Sequence, residues 1–65
     1  MRLSQRTMEI LRGVDSVNKK DGFQSHTEVR NFWNRYGPKG FLNIKEITPK
    51  IVREIRQKVI EAREN

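Results

Sequence analysis

Cysteine is absent from this chain, and histidine occurs once, as His26. Disulfides and thiolate metal sites are thereby excluded, and a lone imidazole builds no zinc site, so neither a metal nor another cofactor is expected. Long apolar runs are missing too: none exceeds a pair such as Ile10-Leu11 or Val59-Ile60. A membrane span needs about 20 apolar residues and a secretory leader about 7–15, so neither is expected and the default address is cytoplasmic. Acid is scarce, with 8 Asp and Glu against 14 Lys and Arg, a net charge of +6 on 65 residues. Between Val29 and Lys45 there is no acid at all, while Arg30, Arg35, Lys39 and Lys45 all fall there. Such an excess favours acidic partners, nucleic acid first and an anionic protein or membrane surface second, against the alternative of a merely solubilising surface.

Residues 1–65 are expected to form one domain, near the lower size limit for a chain that folds without staples. Ser4 reads as an N-cap, with Leu3 and Met8 at hydrophobic-staple spacing. Met8, Leu11 and Val14 recur at helical spacing, and this first helix either stops at Gly13 or runs on to about Lys19. Residues 15–24, bounded by polar turn formers, predict a surface loop without a firm apolar period. Ser25-His26-Thr27-Glu28 is a capping box opening a second helix, whose Val29, Phe32, Trp33 and Tyr36 share one face and which Gly37-Pro38 should end. Phe41, Leu42, Ile44 and Ile47 predict a short helix. Thr48 then caps a last helix with Pro49 at its first position and Ile51, Val52, Ile55 and Val59 on one face. The expectation is an all-α, compact bundle of about four short helices, its core including Leu11, Val29, Phe32, Trp33, Leu42, Ile44, Ile55 and Val59.

Function is most legible in residues 40–59: a short helix, a tight turn at Ile47-Thr48-Pro49-Lys50, and a helix with a basic first turn. Helix N-termini expose unpaired N–H groups and partial positive charge, so they suit phosphate. Lys50 in that first turn is disfavoured unless an anion comes to it. Glu54 stands at i+4 from Lys50 and is expected to neutralise it in part, as Glu61 is expected to meet Gln57. Trp33 and Tyr36 suit either base stacking or core packing, and their spacing with Val29 and Phe32 favours the core. His26 reads as an exposed first-turn residue. No Ser-His-Asp set, paired buried carboxylates, glycine-rich phosphate loop or metal-ligand spacing can be assembled, so an enzyme is not expected.

The turn between helices, anchored by Ile44, Ile47 and Ile55, resembles a helix-hairpin-helix unit with Ile47-Thr48-Pro49-Lys50 in place of the glycine-rich hairpin. Leu3-Ser4-Gln5-Arg6-Thr7 with Ile10-Leu11 is similar to the opening helix of the C-terminal domain of the bacterial RNA polymerase alpha subunit. Phe41-Leu42-Asn43-Ile44 and the stretch from Lys50 to Val59 fall in register with that domain's later segments, of the type Lys-Ser-Leu-x-Glu-Ile-x-x-x-Leu. The resemblance covers residues 3–14 and 27–60. It implies that Arg6, Lys50 and the backbone of Thr48 contact the DNA minor groove and its phosphates. Three positions depart from the family: Glu9 replaces an asparagine that binds DNA, Thr48 a hairpin glycine and Ile51 a serine that reaches phosphate.

The expected nucleic-acid-binding residues are Arg6, Thr48, Lys50, Arg53 and Lys45, with double-stranded DNA as partner in bacterial or phage transcription. Two alternatives stay open. One is a protein-interaction module that touches RNA polymerase or a transcription regulator without strong DNA affinity, to which Glu9, Ile51 and an exposed Ile60 point. The other is RNA, since attraction to phosphate alone does not choose the nucleic acid. Arg6 and Lys50 either converge on phosphate or are two separate solvated cations; oligomeric state is open.

Overall fold

A computed structural model describes residues 2–17 and 19–64 of the chain. The fold is all-α, with three helices among the described residues: α1 (Gln5–Arg12), α2 (His26–Leu42) and α3 (Pro49–Glu64). The expected count of about four is corrected, because the second and third expected helices are joined across a kink.

α1 starts where Ser4 predicts. The Ser4 hydroxyl accepts the Thr7 N–H at 3.3 Å, and the staple partners Leu3 and Met8 are both buried. The helix takes the shorter of its two possible courses. Gly13 caps it, donating to the Ile10 carbonyl at 3.1 Å.

The connection to α2 is more than a surface loop. Ser16 and Lys19 exchange backbone hydrogen bonds across a tight turn; Asn18 lies outside the described residues. Asp21 and Gly22 then both take positive φ, 66° and 68°. This reversal drives the chain back onto α1, where the Phe23 N–H donates to the Leu11 carbonyl at 2.9 Å. A Cβ on Gly22 would stand 2.3 Å from the Arg12 carbonyl oxygen, so only glycine fits. Phe23 is fully buried, its ring edge-on to Phe32 at 5.2 Å and stacked on Phe41 at 5.5 Å. The expectation of an exposed connection therefore fails at Gly22 and Phe23. Three phenylalanines from three parts of the chain form one cluster.

In α2, Ser25 accepts the Glu28 N–H at 3.3 Å, as a capping box requires. The return bond is shifted by one residue: Glu28 accepts from the Gln24 N–H at 2.8 Å rather than from Ser25. Gly37 ends the first straight run of α2 as expected, but does not stop the helix. It leaves helical geometry for one residue (φ 70°, ψ −169°), and helix resumes at once through Leu42. Pro38 suits a restart because the first turn of a helix needs no N–H from it. The kink resets the phase of the apolar face. Phe41 is fully buried, and Leu42, expected in the core, is 48% exposed. The short helix expected over 41–47 is instead the end of α2 followed by two turns, Ile44 N–H to Phe41 carbonyl and Ile47 N–H to Ile44 carbonyl. Those turns point Ile44 and Ile47 inward.

α3 begins at Pro49, with the Thr48 hydroxyl accepting the Ile51 N–H at 3.4 Å. Its buried residues Ile51, Val52, Ile55 and Val59 complete a core with Leu11, Val14, Val29 and Phe32. Trp33 sits half-buried against that core, its ring 5.9 Å from Phe41. It is a flank of the core rather than its centre. Among the described residues no helix is long and apolar enough to cross a membrane.

Candidate nucleic-acid interface

The N-termini of α1 and α3 open onto one cleft of about 400 Å³. Arg6 and Thr7 reach it from α1, Thr48 and Lys50 from the start of α3, and Ile10 and Ile51 contribute apolar wall. Three of the expected binding residues, Arg6, Thr48 and Lys50, are thus brought together although more than forty positions of sequence separate the first from the others. Arg53 and Lys45 do not line this cleft. Arg53 is exposed one turn further along α3, and Lys45 borders a different depression with Asp15 and Asn43.

Two carboxylates, Glu46 and Glu54, also line the cleft, so its fixed charges balance. Their partners decide what that means. Glu54 does not pair with Lys50 as its i+4 spacing predicts. It reaches across to α1 and accepts from the Ser4 N–H at 3.0 Å, the Thr7 hydroxyl at 3.0 Å and the Ser4 hydroxyl at 3.4 Å. A carboxylate is favoured there because it meets both an orphan N–H and the positive end of the α1 dipole. Glu46 accepts the Asp15 N–H at 3.1 Å. Both acids are therefore turned to protein donors, whereas neither Arg6 nor Lys50 is in an ion pair among the described residues. The cations remain open to an anion from outside. Glu9 is exposed on α1 and does not line the cleft.

Sequence reasoning missed two polar features. His26 is not simply exposed: its Nδ1 accepts the Leu3 N–H at 3.3 Å and ties the start of α2 to the chain before α1. Lys19 forms an ion pair with Glu28 at 2.7 Å, and this hydrogen bond, helped by the Gln24 N–H, holds the Glu28 carboxyl below its usual pKa. No local spacing signals either contact, since Lys19 lies within the 13–25 connection and Leu3 before α1, and neither shares a helix with its partner. The Gln57–Glu61 hydrogen bond does form, at 3.4 Å. Ile60 is 43% exposed.

Compared with protein-family models, curated proteins and solved structures, the chain matches none.

Proposed function

We propose that this chain is a small, non-enzymatic DNA-binding protein that contacts the duplex backbone and minor groove with the cleft between the N-termini of α1 and α3. Arg6 and Lys50 take phosphates, the Thr48 hairpin brings backbone close to the groove, and Arg53 and Lys45 add charge at the flanks. The carrying observation is the pairing pattern in the cleft. Both carboxylates there are turned to protein N–H or hydroxyl donors, and among the described residues neither cation is in an ion pair, within a chain of net charge +6.

The helix-hairpin-helix resemblance supports the same reading. The Pro38–Leu42 arm, the turns through Ile47 and α3 follow one another in that order; the tight turn expected at residues 47–50 falls earlier, at 43–46, and Pro49 and Lys50 belong to the first turn of α3. A cytoplasmic role in bacterial or phage transcription follows from the resemblance to the alpha-subunit domain.

The test is a fluorescence-anisotropy titration of unrelated duplexes at several salt concentrations. Affinity should fall steeply with salt, and Lys50→Ala should weaken binding alike on all sequences and lower the salt slope by about one. A second reading, a protein-interaction module for RNA polymerase or a regulator, is favoured by Glu46 and Glu54 inside the cleft and by exposed Ile60. Absence of salt-dependent duplex binding, together with capture of purified polymerase that Ile60→Asp abolishes, would select it instead.

A further inference from the structure

α2 presents a second surface whose chemistry differs from that of the cleft. A helix turns by about 100° per residue, and buried Val29 and Phe32 with half-buried Trp33 fix its inward side. The opposite side of its first three turns carries Thr27, Arg30, Asn31, Asn34 and Arg35, all exposed. Asn31 and Asn34 stand one above the other at i, i+3, and an arginine flanks them on each side.

Charge separates this face from an ordinary solvated one. The solvated faces of α1 and α3 mix signs, as Arg6, Glu9 and Arg12 do on α1 and as Lys58 and Glu61 do on α3, where they pair at 3.5 Å. The α2 face has no acid from Val29 onward, and Glu28 at its edge is engaged by Lys19. Two contacts also restrict its side chains. The Arg35 guanidinium lies 5.4 Å from the Tyr36 ring centroid, and Arg63 of α3 donates to the Asn34 Oδ1 at 2.9 Å. The second contact adds another guanidinium and leaves the Asn34 amide NH₂ to face outward ligands.

We propose that this face of α2 is a second contact surface for duplex DNA, lying in the major groove with Asn31 and Asn34 on base edges and Arg30 and Arg35 on flanking phosphates or guanines. The proposal rests on the DNA-binding reading above but uses different residues and the other groove. Asn31 can pair bidentately with adenine, and Asn34 can donate its amide NH₂ to a base acceptor such as N7 while Arg63 holds its Oδ1. Arginine pairs with guanine, and a helix about 10–12 Å across fits a groove about 12 Å wide. The straight run from His26 to Tyr36 spans about 16 Å at 1.5 Å per residue before Gly37 bends the chain. Duplex RNA does not fit this face, because its major groove is too deep and narrow for side chains to read.

The experiment selects preferred duplexes from a random pool with the full chain, then maps dimethyl sulfate protection on the selected duplex. Protection of guanine N7, a major-groove atom, is expected. Asn31→Ala and Asn34→Ala should each lower affinity for the selected duplex about tenfold or more, towards that for unselected DNA, with unchanged circular-dichroism melting. Arg30→Ala with Arg35→Ala should reduce the salt slope. Protection of adenine N3 without guanine N7, equal discrimination by the asparagine variants, or equally tight binding of duplex RNA would overturn the proposal. If Lys50→Ala still weakens binding in that case, the cleft reading stands alone. If the unaltered protein binds no duplex in a salt-dependent way, both readings fall.

Discussion

Glu54 caps a helix that begins fifty residues before it: its carboxylate accepts the Ser4 N–H at 3.0 Å and the Thr7 hydroxyl at 3.0 Å. One side chain of α3 thus supplies the counter-charge that the first turn of α1 lacks, and an acceptor for the Ser4 N–H beside the Ser4 hydroxyl that accepts the Thr7 N–H. A cap of this kind links local helix formation to the packing of two elements.

Glu54→Ala should lower stability by about 1.5–3 kcal/mol, the range for hydrogen bonds to a charged group, measured by urea unfolding. Thr7 is 5% exposed, so Thr7→Val should also destabilise, by about 1 kcal/mol, and the two losses should be less than additive in the double variant. Fully additive losses would mean that the two side chains act independently.

Gly22→Ala should cost about 2–3 kcal/mol. The positive φ of 68° and the 2.3 Å approach of a Cβ to the Arg12 carbonyl oxygen both oppose it, and the clashing atom is backbone. Gly13→Ala is the control, because Gly13 has φ −88° and nothing nearer its Cβ than 3.6 Å. It should change unfolding little.

The kink at Gly37 sets an order among apolar truncations. Phe23→Ala and Phe41→Ala remove fully buried rings and should each cost about 3–5 kcal/mol. Trp33→Ala, at the flank, should cost less than either. Leu42→Ala should stay within about 0.5 kcal/mol, and a large loss there would show that Leu42 is packed in the core rather than exposed.

Acid should weaken the fold partly through Glu28. Its carboxyl is held below the usual value by Lys19, so its contribution is present above the ordinary carboxylate pKa and is lost as pH falls through the lowered one. Glu28→Gln should flatten the acid limb of a stability–pH profile while leaving the profile near neutral pH almost parallel. An unchanged acid limb in that variant would assign the loss to other carboxylates.

In the cleft, Arg6→Ala and Lys50→Ala should each reduce the salt slope of duplex binding by about one, and Lys45→Ala should do so only if the flank also touches phosphate. Glu9→Asn, removing an exposed acid one turn from Arg6, should strengthen binding.

Much of this fold was legible locally. Ser4, Ser25 and Thr48 each predict a helix start and each hydroxyl accepts the N–H three residues on, because capping is decided within one turn. The inward faces of α1 and α3, and of α2 as far as Phe32, follow from 3.6-residue periodicity for the same reason. Gly22 and Phe23 were not legible, since a positive-φ reversal followed by a single apolar residue carries no period. Leu42 was misplaced because a separate short helix was expected over 41–47, where the chain instead ends α2 at Leu42 and turns through Ile44 and Ile47. Only the tertiary structure decided that Arg6 and Lys50 share a cleft and that Glu54 turns away from Lys50 to Ser4. The physical reason is range: spacing on one helix states which partners are near, and packing between helices decides which of them offers the better-matched donor.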